Sequence, residues 1–122
     1  MAKQFADRTH FVHLRSCYIF PNGNFTEASH LGGRGHLIDL CRIFEKAEQE
    51  GKCNSGRRLP MRVDHGMTFT DEPGGVFDES NHGHNAGYTL LGRMFAMGQI
   101  QGVIATVDDE LGIKYKQPGF YD

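Results

Sequence analysis

The pattern of apolar and polar positions opens on a strand. Thr9-His10-Phe11-Val12-His13-Leu14 is β-branched and aromatic, and it gives way to polar Arg15-Ser16. An aromatic patch, Tyr18-Ile19-Phe20, runs into Pro21-Asn22-Gly23-Asn24, a turn signal in which glycine takes positive φ. Residues 25–35 (FTEASHLGGRG) hold no period and read as a loop. A helix is predicted over 36–50, because Leu37, Leu40, Cys41, Phe44 and Ala47 recur at helical spacing. Arg42, Glu45, Lys46, Glu48 and Gln49 occupy its polar face, and Gly51 stands where a C-cap belongs. After a polar connection, residues 59–63 read as a short strand with Pro60 tolerated near its start, ending in Asp64-His65-Gly66. Residues 67–86 form a long insertion of weak periodicity, the kind of loop that tends to be functional or disordered. A second helix is predicted over 88–107, with Leu91, Met94, Phe95, Ile100, Val103, Ile104 and Val107 as its buried side. Residues 108–122 read as a surface tail. Strand, helix, strand, helix is the order of parallel β/α units.

Composition narrows the class. With 122 residues the chain has room for one domain and not two. Its 13 Lys+Arg against 15 Asp+Glu leave a formal charge of -2, without the basic stripe of a nucleic-acid binder. A hydrophobic share of 39% supports a core. No apolar run approaches the ~20 residues of a membrane span, and the first residues lack the apolar stretch of a secretory signal. Cys17, Cys41 and Cys53 are odd in number and fit neither a CxxC pair nor a disulfide framework. The expectation is a reduced, cytoplasmic chain with neither nucleic acid nor membrane as partner. Seven histidines and 16 glycines in so short a chain point to a site.

His13 stands late in a predicted strand, where a β/α barrel carries its catalytic groups, and a neutral imidazole there suits a divalent transition metal. Packing beside Phe11, or simple solvation, is the competing reading. Asp64-His65-Gly66 ends the other strand. Asp64 is a candidate metal ligand there, and His65, pointing the opposite way, a candidate acid or base; an ordinary strand-to-loop turn explains the tripeptide equally well. Glu27 and His30 can share a face in a loop over a site. Tyr88 reads as a core aromatic or as a phenol aimed into a pocket. His82 and His84 read as a solvated loop, Cys41 as core, and nothing around Cys17 marks it as reactive.

Four blocks, FVHLRS, FTEASHLGGRGHL, LPMRVDHG and AGYTLLGRMFAMGQIQGV, occur in that order. Together they resemble the C-terminal part of D-mannonate dehydratases. The resemblance implies an α/β fold, the C-terminal portion of a (β/α)8 TIM barrel of the xylose-isomerase-like kind, with residues 1–122 as its last two β/α units plus a tail. It implies a metal-dependent hydro-lyase that uses Mn²⁺ or Fe²⁺ and converts D-mannonate to 2-keto-3-deoxy-D-gluconate and water in hexuronate (glucuronate) breakdown. By similarity, His13 and Asp64 match metal ligands, and His65 and Tyr88 match an acid/base pair. Arg15, Glu27 and His30 match segments that border the sugar-acid pocket.

These residue types suit that chemistry. Taking a proton α to a carboxylate develops an enediolate, whose charge a divalent ion can stabilise. One group then removes the C2 proton while another protonates the departing C3 hydroxyl. The family's metal site also uses a histidine and a cysteine from earlier strands, and Cys17 does not match that cysteine. A barrel takes ~250 residues. The chain is therefore expected to be a fragment, inactive or nearly so alone, whose open edges seek the missing part of the barrel or a second copy. Two alternatives stand beside this: a related metal-dependent sugar isomerase, and a non-catalytic remnant of the family.

Overall fold

A computed structural model describes residues 1–65 and 90–114. A short helix α1 (Ala2–Phe5) leads through a 3-10 turn to strand β1 (Val12–Leu14). Strands β2 (Cys17–Ile19) and β3 (Phe25–Glu27) follow, then helix α2 (Leu37–Gln49), strand β4 (Met61–Val63) and helix α3 (Leu90–Glu110).

β1 and β4 are parallel, with Val12 beside Met61, His13 beside Arg62 and Leu14 beside Val63. The Val12 N–H donates to Pro60 O at 2.9 Å and the Asp64 N–H donates to Leu14 O at 3.0 Å, which extends the ladder at both ends. Parallel neighbours require a crossover, and α2 supplies it. Alternation along β1 sends Val12 and Leu14 into the core and leaves His13 exposed. The core gathers these with Val63, with Leu37, Cys41, Phe44 and Ala47 of α2, and with Ala96, Ile100, Val103 and Val107 of α3. Burying each larger aliphatic or aromatic side chain is worth about 1.5–3 kcal/mol. The parallel β/α order expected from the sequence is present, and the described residues form no closed barrel.

α2 meets its expectation closely. Its apolar stripe is buried apart from partly buried Leu40, and Gly51 closes it at φ 66°, the left-handed region that glycine enters without cost. Glu45 departs from it, because the predicted polar face loses this residue to the α3 contact, where it is buried.

The aromatic patch and the predicted loop after it form a hairpin instead. β2 and β3 pair antiparallel, Cys17 opposite Glu27, Tyr18 opposite Thr26 and Ile19 opposite Phe25. The turn between them lies where the sequence predicts it, and Gly23 takes φ 89° there. The strands are three residues long and largely exposed, so neither carries the alternation that marks a half-buried strand. Past the hairpin, a Cβ at Gly33 would lie 2.9 Å from Ala28 Cβ and 3.0 Å from Cys17 O. That close approach requires glycine.

α3 is apolar all round, so periodicity alone selects the wrong side. Leu91, Met94 and Phe95, expected inside, are exposed, and Gly92 and Ala96 take their place. The helix also runs to Glu110, so Asp108 is buried in it and does not begin a surface tail. By length and composition, with 21 residues and mean hydropathy 1.2, α3 does reach the range of a membrane span, contrary to the sequence expectation. Here one side of it packs on α2 and β4.

Candidate active site

The carboxyl ends of β1 and β4 lie side by side, and the candidate residues collect there. Asp64 follows β4 directly, and its Oδ1 stands 3.7 Å from His13 Nδ1. His13 keeps an open face while Phe11 packs edge-on against its ring at 4.7 Å, so the stacked and the accessible readings of this histidine both hold. The β2–β3 hairpin folds Glu27 back over Arg15. Arg15 Nε donates to Oε1 and Oε2 of Glu27 at 3.0 and 3.2 Å, and Arg15 Nη2 donates to the same carboxylate. This ion pair raises the guanidinium pKa further above its ordinary value. Phe25 lies under the guanidinium at 5.3 Å, a cation–π contact.

His65 joins the two halves. Its Nδ1 is 3.5 Å from Glu27 Oε1 and its Nε2 is 3.9 Å from Asp64 Oδ2. The expectation that Asp64 and His65 point opposite ways therefore gives way to one continuous cluster: His13, Asp64, His65, Glu27, Arg15. The side chains of His65 and Glu27 are 13% and 8% exposed, against 47% for His13. The cluster thus has a wet end at the imidazole of His13 and a sheltered end at Glu27.

His30 is placed differently from its expected position bordering a pocket. It is 2% exposed, and its Nε2 lies 2.9 Å from Leu14 O. A carbonyl only accepts, so Nε2 carries the proton. The same carbonyl accepts the Asp64 N–H. The His30 backbone N–H donates to Gln99 Oε1 of α3 at 2.9 Å. His30 thus braces the strand ends from beneath, and Gln99, which no sequence signal marked, braces His30.

Among the described residues, no group of three or more His, Cys, Asp or Glu is arranged to hold a metal ion. His13 and Asp64 fit as two donors. Ligands bonded at about 2.1 Å to one ion stand roughly 3–3.5 Å apart, close to the separation seen here. Cys17, opposite Glu27 in the hairpin and within hydrogen-bonding reach of Arg15, borders the cluster; burial first, then the Glu27 charge, pushes its thiol pKa up. Tyr88, His82 and His84 lie outside the described residues. A cleft of about 310 Å³ opens on the flank, between Met61 and Val63 of β4 and Met97, Ile100 and Ile104 of α3, and none of its lining residues belongs to the cluster.

The family model of D-mannonate dehydratase (UxuA) matches residues 1–114. The chain belongs to the D-mannonate dehydratase family. Among its relatives, mannonate dehydratase 2 of Agrobacterium fabrum is 35% identical over 113 residues, covering 91% of this chain and 26% of the relative. The mannonate dehydratase of Saccharophagus degradans is 34% identical over 110 residues, covering 88% and 26%. That of Brucella canis is 31% identical over 109 residues, covering 88% and 25%. The chain therefore spans about a quarter of the length of the curated relatives it matches. Within the matched segment, His13 of β1, Arg15 just after it, and Asp64 and His65 after β4 converge on one cluster.

Proposed function

We propose that this chain supplies the last two β/α units of a (β/α)8 barrel that dehydrates D-mannonate to 2-keto-3-deoxy-D-gluconate and water, a cytoplasmic hydro-lyase step in hexuronate breakdown. The observation that carries this reading is the run of ionisable side chains across the carboxyl ends of two parallel strands, where barrels of this kind place their chemistry.

In this reading His13 and Asp64 are two of the ligands of a Mn²⁺ or Fe²⁺ ion. When bound, such an ion acts as a Lewis acid on the substrate's carboxylate and hydroxyl oxygens. The chain's own residues then divide the proton work. His65, half-sheltered between two carboxylates, exchanges a proton with the sugar acid, and Tyr88 is its counterpart on the other side of the elimination. Glu27 orients His65 from the Nδ1 side. Arg15 holds Glu27 in place through two directions of its fork. Substrate therefore meets the His13 end of the cluster, while Arg15 and Glu27 support it from behind. Their expected part in lining the pocket becomes a positioning one.

Asp64→Asn, made in the complete barrel, tests the ligand role. Bound metal and turnover are expected to fall together, turnover by a factor on the order of 10² or more. Full metal content with full turnover would remove Asp64 from the site. The absence of a third donor among the described residues favours a second reading, a non-catalytic remnant of the same family. A complete barrel carrying this segment that binds Mn²⁺ and dehydrates mannonate decides against it.

A further inference from the structure

The α2–α3 contact holds two buried carboxyl groups that the proposed chemistry leaves unused. Glu45 is 7% exposed and Asp108 is 3% exposed. Asp108 Oδ1 is fully buried and meets no hydrogen-bond partner among the described residues. The Glu45 carboxyl lies within hydrogen-bonding reach of the Asp108 carboxyl, so a proton on Glu45 can serve as the donor between the two. Two carboxylates confined to one dry site cannot both keep their charge. We infer that the α2–α3 contact is a proton-dependent latch: Glu45 and Asp108 hold one proton between them, and its loss loosens α3 from α2.

The groups facing the pair reinforce this. Glu48, one turn along α2, adds a like charge, while Arg58, ahead of β4, is the opposing cation and only partly offsets it. The thiols of Cys41 and Cys53 feel Glu45 as well and stay protonated, that of Cys41 pushed up to about 12, chiefly by burial. Glu110, two residues beyond Asp108, is engaged by Arg42, which donates to it at 2.8 and 2.9 Å across the helix pair. That outer clasp ties the helices at the surface, and the carboxyl pair ties them inside. Burial first, then Asp108, raises the Glu45 pKa from 4.5 to about 7. A group that holds its proton more tightly when folded stabilises the fold fully below its unfolded pKa, and the gain fades as pH rises through the folded one. The window here runs from about 4.5 to about 7. α3 also carries Gln99, which braces His30, so the latch reaches the strand ends.

The test is urea unfolding of the full chain at fixed ionic strength between pH 5 and pH 8, with a ¹³C NMR titration of the Glu45 carboxyl. The wild-type folding constant is expected to fall by roughly one to two powers of ten across that range. Glu45→Gln, whose amide donates permanently to Asp108, is expected to flatten the dependence. The carboxyl titration is expected near the raised value. A Glu45 midpoint at the ordinary carboxylate value, or a Glu45→Gln chain as pH-dependent as wild type, would overturn the latch. Should the variant fail to fold, the carboxyl titration of the wild-type chain decides alone.

Discussion

Glu27 is the residue on which the arrangement of the site turns. Its carboxylate takes the Arg15 fork on one side and stands against the His65 imidazole on the other. A side chain so engaged has little left to offer a substrate, and its value lies in where it holds its neighbour. Glu27→Gln in a complete barrel keeps the shape and removes the charge. The expected result is a fall in kcat of roughly 10–100-fold with little change in KM, because in the proposed reading Glu27 orients the His65 imidazole for proton transfer and does not bind substrate. Steady-state kinetics on mannonate check this, and a change confined to KM would assign Glu27 to the pocket wall after all. Glu45 and His30 make the same point about single residues. Each looks like a surface or loop group in sequence, and each is buried because a second element closes over it.

Among the elements, the parallel pair β1–β4 matters most, since it sets His13 and Asp64 next to each other. Three residues per strand make a weak ladder by themselves. The junction is reinforced at Leu14 O, which receives both the Asp64 N–H and the His30 Nε2–H. His30→Phe keeps the ring and removes the donor. Stability is expected to fall by about 1–3 kcal/mol in urea unfolding, with faster amide exchange at Asp64. Unchanged exchange there would show that the bond does not brace the strand ends. The β2–β3 hairpin works differently. It buries little, yet it carries Glu27 across to Arg15, twelve positions earlier in the chain. α2 was readable because its stripe is one-sided. α3, apolar on every side, announced that it is a helix but not which side faces inward.

For the whole molecule, the decisive quantity is coverage. The family model matches nearly the whole segment, which spans about a quarter of the length of the curated relatives it matches. Catalytic ions commonly need three or more protein ligands, and in the proposed reading the cluster would supply two, His13 and Asp64. The 122-residue chain assayed alone with Mn²⁺ is therefore expected to show mannonate dehydration at least 10³-fold below a complete barrel. Turnover within tenfold of the complete enzyme would show that the site is whole within this segment.

Much of this was determined by local sequence. The α2 stripe, its Gly51 cap, the hairpin turn and the two strand-end motifs each depend on residues within a few positions of one another, and short-range sterics and periodicity decide them. Four ordered motifs were likewise enough to place the chain in its family. Tertiary structure alone decided the rest. The Glu27–His65 approach, the His30 brace on Leu14, the inward side of α3 and the burial of Glu45 near Asp108 all join residues from separate elements. Burial and charge pairing between elements are properties of the packed chain, and no single stretch of sequence contains both partners.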